Sequence, residues 1–131
     1  MKIISLNVRG LGGLAKQKSL LNLFASLSLD LILLQETMNS TYPALLAFSK
    51  LRLGWEFCAI SSSGLSGGIL SAWNPLRVEC KAFCTFAGIL LTGKLIGFSE
   101  EINLLNIYGL YHSKELFWDK VESEGTFLFQ I

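Results

Sequence analysis

"MKIISLNVRGLGG" (residues 1–13) decides how this chain begins to fold. Lys2–Val8 is mostly apolar and reads as a buried strand, and Arg9–Gly13 reads as a glycine-rich turn. Asn7 is out of character there, because strands are depleted in Asn. The next segment, Lys16–Leu27, carries Leu20, Phe24 and Leu27 at spacings of four and three, the stripe of an amphipathic helix. Asp30–Leu34 is a short continuous apolar run, a second buried strand ending in Gln35-Glu36-Thr37. One helix joins the two strands, so a right-handed crossover makes them parallel. Asn7 and Glu36 then stand at the carboxyl ends of neighbouring strands, the edge where open α/β sheets bind ligands.

Further along, Thr41 and Pro43 resemble the start of a helix that continues over Ala44–Leu51. The pattern then changes to successive strands: Trp55–Ile60, Gly68–Trp73, Val78–Phe86, Ile89–Phe98 and Ile102–Tyr108. Their connections are mostly too short for helices, so neighbouring strands are expected to be antiparallel. Lys114–Ser123 reads as a last helix, and "TFLFQI" (126–131) as the start of another strand. The order β-α-β-α followed by strands predicts an α+β domain with a mixed sheet.

The 131 residues suit one domain or part of one, and the net charge of +1 gives no electrostatic signature of a nucleic-acid partner. Mean hydropathy is high, +0.49. The longest charge-free stretch, Phe57–Leu76, is broken by Gly64, Gly67, Gly68, Asn74 and Pro75, so no membrane partner is expected. Cys58, Cys80 and Cys84 form no CxxC pair; two of them sit inside apolar stretches, so reduced core thiols are the expected reading. No signal-peptide pattern follows Lys2.

Several motifs compete for the chemistry. "GLGGLA" (10–15) fits G-x-G-x-x-A, with Glu36 where a ribose-binding acid would stand, which makes a dinucleotide-binding domain one alternative. Against it, Arg9 separates strand from glycine, and the later hairpin-like strands break the βαβ alternation. "GLSGG" (64–68) fits G-x-S-x-G around Ser66, but a strand follows where a nucleophile elbow needs a helix. His112 stands alone and reads as a loop histidine. That leaves Asn7 and Glu36, an amide oxygen and a carboxylate, hard ligands suited to Mg2+ or Mn2+.

Four blocks, "ISLNVRGLGG", "LILLQET", "SGGILSAWNP" and "NIYGLYHSKELFWDKV", resemble the endonuclease/exonuclease/phosphatase superfamily. They look most like the N-terminal half of the endonuclease domain of plant LINE-type (non-LTR) retrotransposons. The resemblance implies a DNase I-like, four-layered α/β/β/α sandwich, here partial, with a mixed sheet and helices on one face. It also implies Mg2+-dependent phosphodiester hydrolysis on DNA. Asn7 matches the asparagine that helps order metal and phosphate. Glu36 matches the metal-ligating glutamate, and Tyr108 the active-site tyrosine of the N-x-Y-x-P block. Leu6 replaces the family's usual Trp, and Leu110 its usual proline.

The family's G-D-x-N and S-D-H blocks do not occur in residues 1–131. The expectation is a single C-terminally truncated domain that binds its metal weakly and is inactive alone. A second expectation is a sheet left uncovered, with Phe83, Phe86, Leu90, Ile96, Leu105 and Ile107 as candidates for an exposed apolar face. Such a face would favour self-association, and a non-catalytic partner-binding fragment is the alternative function.

Overall fold

A computed structural model describes residues 1–11, 13–38, 54–60, 67–85 and 87–107, with the backbone of 128–130. The expected helices at 44–51 and 114–123 lie outside the described residues, as do Ser66, Phe86, Tyr108 and His112.

The first unit is the expected one. Strand β1 (Ile3–Asn7) leads through helix α1 (Leu14–Ser26) to β2 (Leu31–Gln35), and β1 and β2 pair in parallel with Asn7 opposite Gln35. The helix begins two residues earlier than the apolar stripe predicts. Gly13 stands at its N-cap without a side-chain cap, and Gln17 N–H donates to Gly13 O at 3.0 Å. It ends where Leu27 N–H turns back onto Phe24 O.

Every side chain of Leu31–Leu34 is buried because both faces of β2 are covered, which explains an apolar run without alternation. Ile32 and Leu34 face α1 and pack with Leu20, Phe24, Leu70 and Ala72. Leu31 and Leu33 face the other way.

The remaining strands are β3 (Glu56–Ile60), β4 (Ile69–Trp73), β5 (Val78–Cys84), β6 (Gly88–Leu95), β7 (Ile102–Ile107) and β8 (Leu128–Gln130). They do not form one sheet. β4 pairs antiparallel with both β2 and β3, giving a first sheet in the order β1-β2-β4-β3. The chain then turns a corner at Asn74, whose backbone O accepts from Arg77 and Val78 N–H while its Oδ1 accepts from Leu76 N–H. Beyond the corner, β5-β6-β7-β8 form a second sheet, antiparallel except for the parallel β7–β8 pair. Both sheets are therefore mixed, as the α+β reading requires.

This overturns one expectation. The first sheet is not left uncovered, because the second packs on it. Leu31, Leu33 and Trp73 meet Ile89, Leu91 and Leu104 in a shared core, and this burial absorbs much of the apolar excess. Of the residues expected on an exposed face, Leu105 is 1% exposed, and Leu90 and Ile107 pack partly buried beside it. Among the described ones, only Phe83 and Ile96 are about half exposed, at 50% and 49%. The apolar basis for self-association shrinks accordingly. Among the described residues no helix is long and apolar enough to cross a membrane.

Candidate functional site

The carboxyl edge of β1 and β2 is built by backbone bonds that continue past the strands. Val8 N–H donates to Gln35 O, Gly10 N–H to Glu36 O at 2.7 Å, and Leu11 N–H to Thr37 O. On the other side, Thr37 N–H donates to Gly68 O and Met38 N–H to Gly67 O. Residues 36–38 thus lie between the β1–α1 loop and the start of β4. The backbone is strained there: Arg9, Glu36 and Met38 have φ of 48°, 52° and 59°. The left-handed region costs about 1–2 kcal/mol for a residue with a Cβ, and such strain gathers at functional sites.

Asn7 and Glu36 are brought to this one edge. Asn7 is exposed, and its Oδ1 accepts the Arg9 N–H at 3.2 Å. That local turn is one physical reason for an amide at this strand end. An amide oxygen has two lone pairs, so one remains for a cation. Glu36 is half-buried. Lys16 reaches back from α1, its Nζ donating to Val8 O at 2.8 Å and Arg9 O at 3.0 Å, and so holds the loop that carries Asn7. A shallow, largely apolar hollow of about 270 Å³ opens beside it, with Leu6, Leu20 and Leu23 among its lining residues next to Asn7, Lys16 and Ser19. Among the described residues, no group of three or more His, Cys, Asp or Glu could hold a metal ion. The donor set present is one carboxylate and one amide oxygen, which fits a hydrated, weakly held divalent cation. Tyr108 lies outside the described residues.

Sequence reasoning missed the residues that set this edge. Asn106, at β7, is fully buried between the sheets. Its Nδ2 donates to Leu70 O and Ser71 Oγ at 3.0 Å and to Leu34 O at 3.3 Å, and its Oδ1 accepts from Gln35 Nε2 at 3.0 Å. Gln35 Nε2 also donates to Ser5 Oγ. This polar bridge ties the second sheet to the residue just before Glu36. The signal was present, since Gln35 and Asn106 fall inside the QET and N-x-Y blocks. Gly88 serves the same neighbourhood: its φ is +150°, and a Cβ there would stand 1.9 Å from Asn106 O. Beside Glu36, the Thr37 hydroxyl is buried and, among the described residues, has no hydrogen-bond partner.

At the opposite edge, a hollow of about 550 Å³ is lined by Lys2, Phe24, Asp30, Asn74 and Arg77. Its anchor is structural. Asp30 accepts from Lys2 N–H at 2.9 Å and from Arg77 Nε at 3.0 Å. Burial alone would raise its pKa, but the Lys2 bond and the Arg77 bond and charge outweigh it and hold the carboxyl below its ordinary value.

No family model and no curated protein matches this sequence. Solved structures do match. The AP endonuclease LMAP of Leishmania major superposes with TM-score 0.61 at 18% identity over 94% of this chain and 44% of that one. TDP2 of D. rerio, complexed with a single-strand DNA product, gives 0.60 at 21% identity over 94% and 55%. The catalytic domain of Xenopus laevis APE2 gives 0.54 at 20% identity over 92% and 49%. The chain therefore spans about half the length of these structures. The sheet order and antiparallel insertions are not those of a doubly wound dinucleotide-binding sheet. Two mixed sheets packed face to face, with a helix on the outer side of the first, give this chain the DNase I-like fold.

Proposed function

We propose that residues 1–131 build the first part of a divalent-metal-dependent phosphodiesterase site acting on DNA. Glu36 is the metal-ligating carboxylate, and Asn7 helps order metal and phosphate. Tyr108 is the phenol that contacts the scissile phosphate. The observation that supports this reading is the placement of Asn7, paired with Gln35, and of the strained Glu36 that follows Gln35 at the carboxyl ends of paired parallel strands. The fold shared with DNA-processing enzymes supports it, as do the four sequence blocks. Those blocks also support the finer reading, a LINE-type retrotransposon endonuclease domain using Mg2+.

A divalent cation bound there would stabilise charge developing on a phosphodiester oxygen. The residues of this chain have a narrower task. Glu36 supplies the negative charge that attracts the cation. Asn7 offers its free lone pair, and Lys16 keeps the Asn7 loop in place through two carbonyls. Hydrolysis also needs a positioned water and a proton acceptor, which the family takes from the G-D-x-N and S-D-H blocks. Such groups act as a unit, so residues 1–131 alone have no activity.

Titration with Mn2+, followed by the EPR signal of the free ion, tests the site beside a plasmid-nicking assay with Mg2+. Weak binding that disappears in Glu36→Gln, with no nicking above background, is the expected result. Binding unchanged in Glu36→Gln sinks the site. Nicking by this chain that is lost in Glu36→Gln would show that other residues supply the proton transfer.

A further inference from the structure

We infer that Gly67 is the positioning residue for the Glu36 carboxylate, an inference that rests on the reading of Glu36 as a metal ligand. Glu36 holds a left-handed backbone at φ 52°, and Met38 does the same at 59°. Something must over-determine that conformation, because each residue alone favours another. The segment laid against it is Gly67-Gly68, which takes the Met38 and Thr37 N–H groups at 2.6 and 3.2 Å. Those two bonds bring the Gly67 Cα so close that a Cβ there would stand 3.2 Å from Glu36 Cα, 3.3 Å from Glu36 Cγ and 3.2 Å from Met38 Sδ.

The three contacts differ in kind. Met38 Sδ lies near the end of a flexible side chain and can swing away. Glu36 Cα is backbone held by the Gly10 N–H bond to Glu36 O, so it yields little. Glu36 Cγ carries the carboxyl group itself, and anything that displaces it moves the ligand oxygens. Gly67 itself lies outside the positive-φ range that favours glycine. Its lack of a side chain is therefore used for space and not for backbone freedom. The "GLSGG" stretch, which fails as a nucleophile elbow, acquires a role: its fourth residue is the floor on which Glu36 rests.

The test compares Gly67→Ala with Gly13→Ala, which adds the same methyl group where nothing lies within 4 Å. Two readouts are taken on the whole chain: Mn2+ affinity, and the metal-free NMR resonances of Glu36. Both are repeated in a Met38→Ala background, where the sulfur contact is gone and only the two Glu36 contacts remain. The expected result is displaced Glu36 resonances and roughly tenfold weaker Mn2+ binding for Gly67→Ala in both backgrounds, with Gly13→Ala unchanged. Glu36 resonances that stay in place overturn the inference. So does a return to wild-type resonances and affinity in the Met38→Ala background, because the sulfur would then be the contact that mattered. If Glu36→Gln keeps full Mn2+ affinity while Gly67→Ala still moves the Glu36 resonances, the ligand reading fails and the positioning stands.

Discussion

Gln35 and Asn106, seventy-one residues apart, share a 3.0 Å hydrogen bond that runs from the last residue of one strand in the first sheet to a fully buried position in the second. The bond joins the two sheets at the edge that carries Glu36. The same Asn106 amide holds Leu70 O and Ser71 Oγ on β4, so one side chain spans three strands. Buried amides with every partner in place fix the relation of two layers more sharply than apolar contact does.

Asn106→Leu should accordingly destabilise the fold by about 3 kcal/mol, since it leaves several buried groups without a partner. Gln35→Leu should cost less, because Gln35 is only half-buried. The double variant should lose less than the sum of the two, as expected for residues in one network. Urea unfolding of the four proteins measures this. Strict additivity would mean that the bridge is not a coupled unit.

Glu36→Gly should separate stability from function. Glycine accepts φ near 52° freely, so the variant should gain about 0.5–1 kcal/mol in melting experiments. It should lose Mn2+ binding at the same time. A variant that is both less stable and still metal-binding contradicts the assignment of strain and ligand to the same residue.

Thr37 gives a second probe beside it. Its buried hydroxyl has no partner among the described residues, and Val has the same shape without the oxygen. Thr37→Val should be stabilising by about 1 kcal/mol and leave Mn2+ affinity unchanged. A destabilised variant would show that the hydroxyl is satisfied after all.

Asp30 should give the fold an acid limb. Its carboxyl titrates lower in the folded chain than its ordinary value of 3.8. The unfolded state therefore takes up the proton first, and the stabilisation is complete above about pH 4 and declines as pH falls through the lower folded value. Asp30→Asn should flatten this limb, and Arg77→Gln should weaken it. Arg77 is largely exposed, so its part should fall with added salt. Thermal melts between pH 2 and pH 7 read all three, and an acid limb of unchanged steepness in Asp30→Asn rules out this origin.

The cysteines should react in a fixed order. Burial, with the Glu56 charge added, pushes the Cys80 thiol up to about 12. Burial and contact with Cys84 push Cys58 up to about 11. Cys84 is exposed. Brief iodoacetamide labelling near pH 8 should modify Cys84 first, and urea should release the other two, because the thiolate is the reactive form. Mass spectrometry of the peptides decides it, and Cys80 labelled first in the native chain would contradict the sheet packing.

Residues 1–35 were legible from local pattern alone. The period of Leu20, Phe24 and Leu27, the two apolar runs and a single connecting helix dictate a parallel pair, and Asn7 and Glu36 follow at its carboxyl edge. Strand existence further on was legible too, because apolar runs punctuated by glycine, serine and proline carry a local signal. Which strands share a sheet was not. β4 leaves Ser71 buried opposite Leu33 and Cys58, and β5 starts five residues later in another layer. Nothing in the turn at Asn74 announces that change, because layer assignment depends on which apolar faces find each other across the core. The same holds at the site. The sequence supplies a carboxylate and an amide at a strand end. The left-handed turn of Glu36 and the glycine beneath it are set where the chain leading into β4 pairs beside β2, and the Asn106 bridge forms only when the second sheet closes on the first, because the residues that meet lie far apart in the chain.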